Sequence, residues 1–267
     1  MESSPKPLVL ANTISLILTL IANFFAGSGR LINKSVGEVS NKYDTLFTPA
    51  GYAFTIWSFL FLLCICFCLF QWHLLKKGDT KSHIKRSGFW FFISNIANVV
   101  WLFCWLNEWL ALSVIVIVLL LLSLCMLTIR LRLELDDEPV QTIVFVWWPI
   151  VFYLGWITVA TIACVAAWLV STGYRGGAIG EELLTIIMIA IACIIFLVLL
   201  KNRNLREAAL VGVWAFIAIA VKQWQLHHNV SVAAIIASLI LLVAAGIHAY
   251  KNRRSNILAK IQRGEWK

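Results

Sequence analysis

Ser94, Asn98, Trp101 and Trp105 follow one another at offsets of 0, 4, 7 and 11 within one apolar stretch. On an α-helix that spacing puts all four on one face. A second stretch does the same with Phe54, Trp57, Phe61, Cys64 and Cys68, at offsets of 0, 3, 7, 10 and 14. A third carries Trp156, Ala160 and Cys164, each four residues apart. Aromatic faces stack on flat π-systems, and one well-placed amide is enough to orient a ligand in an apolar pocket. The chemistry predicted is recognition of a flat apolar molecule. Tyr52, Phe54 and Trp57 would form a wall, Asn98 a polar handle, Trp101 a floor, and Trp156, Ala160 and Cys164 the opposite wall. Pro49 and Gly51 would fix the geometry of the entry. The competing reading needs no ligand: tryptophans packed in a core, with an interhelical bond from Asn98.

Other reactive residue types point away from catalysis. Glu134, Asp136, Asp137 and Glu138 precede Pro139, a pattern that starts a helix and places carboxylates near its positive end. His227 and His228 are adjacent and cannot share a helix face. All seven cysteines (64, 66, 68, 104, 125, 164, 193) lie inside apolar runs without disulfide or zinc spacing. Nothing assembles a nucleophile, a base and an orienting group. The expectation is a protein that is not an enzyme, with no catalytic residue, no metal ligand and no resident cofactor.

The elements that position these residues follow from the bulk composition. Of 267 residues, 61% are hydrophobic and 13% charged, with a mean hydropathy of +0.87. A soluble domain cannot hide that much apolar surface, and the alternation of a β-barrel is absent. The fold class is therefore all-α, a polytopic membrane helix bundle. Eight spans are expected: 8–26, 51–73, 88–106, 110–129, 143–169, 183–200, 205–223 and 230–250. The first resembles a signal peptide in its Lys6 and its small residues near Ala26, but its apolar run is too long, so it reads as a retained helix. Pro149 is expected to bend the fifth span. Gly155, Thr158, Ala160, Thr161 and Ala163 make a small-residue surface that allows close helix approach and room for a flat ligand. Asn12 and Asn23 share a face of the first helix and should bond to other helices.

Basic residues set the orientation. Seventeen of the 22 Lys and Arg fall on the side that holds both termini and the loops after spans two, four and six, including Lys81, Arg253, Arg254 and Lys267. Both termini are thus expected in the cytoplasm. That distribution also assigns the net charge of +9 to membrane topology and not to nucleic acid. The basic tail after Lys251 is expected along the anionic inner leaflet. The polar connection 27–48 leads directly into the aromatic entry at Pro49 and reads as a lid.

The entry Thr48–Phe61, TPAGYAFTIWSFLF, resembles the start of the second helix in the TspO/MBR family, the tryptophan-rich sensory proteins. Pro49, Gly51, Phe54 and Trp57 match the family residues; Ala50, Tyr52 and Phe61 stand in for Pro, Trp and Tyr. In the third span Asn98 and Trp101 are in register, and Thr128-Ile129-Arg130 resembles the end of the fourth helix. In the fifth, Trp156, Ala160, Thr161 and Trp168 match, Thr158 is a close substitute, and Cys164 stands where the family has Asn. The resemblance covers about residues 5–170, so the chain is identified as a long variant with three extra C-terminal helices. It implies a division into a five-helix TspO-like domain, 1–170, and a unit of three further helices with a basic tail, 171–267.

The resemblance further implies a cavity beneath the first loop that takes porphyrins or haem-like and other flat hydrophobic molecules. The expected function is a membrane receptor or carrier for such a ligand. The alternative is a secondary transporter or facilitator for a small apolar solute that uses all eight helices; a porphyrin-modifying enzyme is the weakest reading. Expected partners are the small hydrophobic ligand and the lipid bilayer, with a homodimer as the candidate assembly and no nucleic acid. The expected location is the bacterial inner (plasma) membrane.

Overall fold

A computed structural model describes residues 5–78, 83–252 and 257–266. Lys81, Arg253, Arg254 and Lys267, which contribute to the charge asymmetry, lie outside the described residues. The first long helix is α1 (Lys6–Gly27), followed by a short lid helix α2 (Val36–Lys42). A 3₁₀ turn, Gly51–Thr55, then leads into α3 (Ile56–Lys76). After α4 (His83–Ser87) come the hairpin partners α5 (Trp90–Leu106) and α6 (Leu110–Arg130). The one-turn α7 (Val140–Thr142) passes through a π-helical stretch, Ile143–Trp147, into α8 (Trp148–Ser171). Three more long helices follow, α9 (Gly180–Arg203), α10 (Arg206–Gln223) and α11 (His228–Lys251), and then the short α12 (Ile257–Gln262).

Each of the eight expected segments is helical. Six of them, among the described residues, are long and apolar enough to cross a membrane: those within 6–27, 51–76, 110–130, 140–171, 177–203 and 228–251. Of the other two, α5 has 17 residues and α10 has 18, with Arg206, Glu207 and Lys222 at its ends.

A helix in an apolar solvent must satisfy its polar side chains against other helices. The α1–α5 seam does this as a ladder. Asn12 Nδ2 donates to Gln71 Oε1 at 3.0 Å on α3, Asn95 Nδ2 to Ser15 Oγ at 3.2 Å, and Thr19 Oγ1 to the Asn95 carbonyl at 3.1 Å. At the top rung Asn23 Nδ2 donates to Asn98 Oδ1 at 2.8 Å, and Asn98 Nδ2 to the Tyr153 hydroxyl at 3.0 Å. One polar stripe thereby locks α1, α5 and α8 in register, with the structural role expected of Asn12 and Asn23.

The small-residue surface of α8 is used in two ways. A Cβ on Gly155 would stand 3.0 Å from Ala208 Cα and from Val211 Cβ, so α8 and α10 meet backbone to backbone there. Ala160 and Ala163 face inward instead. Pro149 follows directly on the π-helical turn inside the continuous helical segment 140–171, so the irregular hydrogen bonding that its missing N–H demands falls there.

Residues 257–266 pack back onto the start of the fifth span. The Val140 amide donates to the Glu265 carbonyl at 3.2 Å, and Gln141 to that of Trp266 at 3.3 Å. Lys260, almost fully buried, pairs with Asp137 and donates to the Glu138 carbonyl at 2.9 Å.

Candidate functional site

The site lies at the end of the bundle where the 27–50 connection covers α1, α3, α5 and α8. Its roof is α2, which the sequence starts with a capping box: the Glu38 amide donates to Ser35 Oγ, and the Ser35 amide to Glu38 Oε2 at 2.6 Å. The roof is fastened from below. Trp105 Nε1 donates to the Val36 carbonyl at 3.2 Å. Glu108, in the α5–α6 turn, accepts from Lys34 at 2.5 Å, from the Tyr43 hydroxyl at 2.7 Å, and from Lys42. The Lys34 bond first, then Lys42 and Tyr43, holds the Glu108 carboxyl down at about 2.

The roof is also fastened from the side, by α10. The Ala50 amide donates to the Ala218 carbonyl at 3.1 Å, Gln223 Nε2 to the Leu46 carbonyl at 3.2 Å, and Lys222 Nζ to Asp44 at 2.6 Å. Trp214 Nε1 reaches the Ala53 carbonyl inside the 3₁₀ turn, also at 3.2 Å. These bonds hold Pro49 and Gly51 in place, and both residues line the site.

Beneath the roof an outer cleft of about 770 Å³ opens between α1 and α3. Its apolar wall is Phe54, Trp57, Phe61 and Trp101. Trp57 and Phe61 stack with centroids 5.3 Å apart, and Trp57 meets Trp156 edge-on at 6.3 Å. Asn23, Ser35, Asn41, Thr48, Ser58 and Lys222 add polar groups. Past Trp57 and Trp101 the space narrows to an inner pocket of about 50 Å³ against Trp156, Ala160 and Cys164. The Cys164 thiol lies 3.2 Å from Ser113 Oγ. The indole N–H of Trp156 is buried and makes no hydrogen bond, a costly state for a donor, whereas the Trp101 indole faces the Cys164 thiol.

Of the residues singled out from sequence, Pro49, Phe54, Trp57 and Trp101 border both spaces, Gly51 the outer one, and Trp156, Ala160 and Cys164 the inner one. Two fall outside both linings. Tyr52 packs edge-on against Trp214 of α10, centroids 5.3 Å apart. Asn98 is fully buried and spends both ends of its amide on Asn23 and Tyr153. Sequence reasoning missed the lid contacts of Ser35, Asn41 and Thr48, and above all Lys222. The signal for Lys222 was a lone cation at the end of an otherwise apolar span.

The chain matches, over residues 9–247, the family model described as TSPO-like protein. No curated protein and no solved structure matches it. The match runs beyond residue 170 and takes in α9, nearly all of α11 and α10, the helix that pins the lid and its entry. With several helices suited to crossing a membrane and a family match over most of its length, this is an integral multi-pass membrane protein that belongs to the TSPO-like family.

Proposed function

We propose that the protein is a membrane receptor or carrier that binds a flat hydrophobic molecule, such as a porphyrin, in the outer cleft. The observation that carries this reading is the cleft itself: about 770 Å³, under a fastened lid, with Trp57 stacked on Phe61 along one wall. Pockets for small organic ligands fall at roughly 300–1,000 Å³ and combine apolar walls with a few polar groups. The inner pocket admits only an edge or a substituent of the ligand, and an acceptor atom there would satisfy the indole N–H of Trp156.

Binding is favoured over passage because the space closes to about 50 Å³ below Trp57 and Trp101. It is favoured over conversion because the outer-cleft lining, among the described residues, holds no histidine, cysteine or carboxylate. In this reading all eight long helices span the membrane, with Lys76, Lys77, Lys85, Arg86, Arg130, Arg132, Lys201 and Arg203 on the cytoplasmic side of a bacterial inner membrane.

The test is titration of the purified protein with protoporphyrin, followed by tryptophan quenching, in the wild type and in Trp57→Ala and Phe61→Ala. Saturable binding weakened about tenfold by each change is expected, as for loss of one well-placed aromatic contact. Absence of saturable quenching, or equal affinity in all three proteins, would overturn the assignment.

A further inference from the structure

Lys222 is the one charged residue in the lining of the outer cleft among the described residues. It comes from the last turn of α10, and its ammonium lies 2.6 Å from Asp44. Asp44 itself is outside the lining and about half exposed. The helices supply aromatic faces from Phe54, Trp57, Phe61 and Trp101 beside the neutral polar groups of Asn23 and Ser58, the lid adds further neutral polar groups, and α10 supplies the ammonium. No anion in the lining balances the cation.

An ion pair whose acid is solvated is weak, because water and salt compete for both partners. A carboxylate brought into the cleft on an apolar body meets the same ammonium in a drier setting, where charge attraction is stronger. Resting on the binding reading above, we infer that Lys222 is the specificity-determining residue of this cleft, selecting a flat apolar ligand that carries a carboxylate at its rim over the same body without one. Lys222 binds that carboxylate by exchanging it for Asp44, and so orients the ligand with its acidic edge toward the lid and its flat face toward Trp57 and Phe61. The specificity element then belongs to α10, a helix remote in sequence from the aromatic wall.

The experiment compares protoporphyrin, which carries two carboxylates, with its dimethyl ester, whose ring is the same. Both are titrated against the full chain and against Lys222→Gln, Lys222→Arg and Asp44→Asn. The wild type should bind the acid about tenfold more tightly than the ester, the scale of one charge-assisted hydrogen bond. In Lys222→Gln acid and ester should bind alike, at the wild-type affinity for the ester. Lys222→Arg should keep the preference, and Asp44→Asn should enlarge it by freeing the ammonium. If the wild type binds acid and ester equally, the inference is wrong and the binding reading stands. If neither compound binds the wild type, the binding reading falls first. If Lys222→Gln weakens acid and ester by the same factor, the lysine only holds the roof and does not recognise the ligand.

Discussion

The indole nitrogen of Trp214 donates to the backbone carbonyl of Ala53, 3.2 Å away and 161 residues earlier in the chain. Ala53 sits in the 3₁₀ turn that carries the aromatic entry, and Trp214 is on α10. The bond ties α10, inside the family match, to the aromatic entry of the cleft. Trp214→Phe keeps the ring contact with Tyr52 but deletes the donor. The expected result is a loss of about 1 kcal/mol in stability and a several-fold weaker affinity for protoporphyrin, with faster amide exchange across residues 50–56. Unchanged exchange there would show that the turn holds itself.

Glu108 is the second fastening, and it makes a pH prediction. Its carboxyl is held at about 2 by Lys34, Lys42 and Tyr43, against an ordinary 4.5. A depressed acid stabilises the structure in full above its unfolded value and loses that contribution as pH falls through the folded value. The lid should therefore be equally tight from pH 8 down to about 4.5 and loosen progressively between 4.5 and about 2. A spin label at residue 40 should report that loosening as increased mobility. Glu108→Gln should be mobile throughout, with no acid step. The same clamp is exposed to solvent on the lysine side, so high salt should weaken it in the wild type and leave the variant unaffected.

Several features of the site were legible because helical periodicity is read directly from spacing. Phe54, Trp57 and Phe61 fall on one face of α3 and its entry, and Trp101 lies four residues from Trp105 on a buried face of α5. Tyr52 was misdirected because it stands five residues before Trp57, about 140° around a helix from it, and its ring is taken by Trp214 from α10, a contact that no local pattern announces. Asn98 was correctly placed on the polar face, but its partners depend on α1 and α8 docking together. Lys222 could not be assigned, because nothing near it in the chain announces Asp44, 178 residues away. The returning tail was missed for the same reason: Lys260 reads as a membrane-facing cation until Asp137 and the Glu138 carbonyl are seen opposite it.

Two glycines give a paired stability test. Gly155 faces Ala208 and Val211 at a distance where an added Cβ would have to push the α10 backbone, whereas Gly246 on α11 has nothing within 4 Å. Gly155→Ala should therefore destabilise the protein by about 1–3 kcal/mol through forced separation of α8 and α10. Gly246→Ala should stabilise it by about 0.5–1 kcal/mol, since an alanine in a helix interior loses less backbone entropy on folding. Thermal melts in the same detergent would resolve the opposite signs. A destabilised Gly246→Ala would mean that this face of α11 is covered by something other than lipid, a second copy of the chain being the first candidate to test by cross-linking.

Glu134 carries the opposite pH dependence to Glu108. It is largely buried in the α6–α7 connection and accepts from Asn204 Nδ2 at 3.0 Å. Burial, helped by the nearby Glu207 carboxylate, raises its carboxyl from 4.5 to about 7, against the opposing pull of Arg206 and Lys260. A raised acid binds its proton more tightly in the folded state. Its contribution to stability is therefore complete below 4.5 and is lost as pH rises through about 7. The melting temperature of the wild type should fall between pH 4.5 and 7 by the part due to this residue. Glu134→Gln keeps an acceptor for Asn204 and has no charge to desolvate. It should melt above the wild type at pH 8 by the equivalent of about 1–3 kcal/mol, and the two should converge near pH 5. Parallel curves across that range would show that Glu134 is ionised in the folded protein, with Arg206 and Lys260 outweighing its burial.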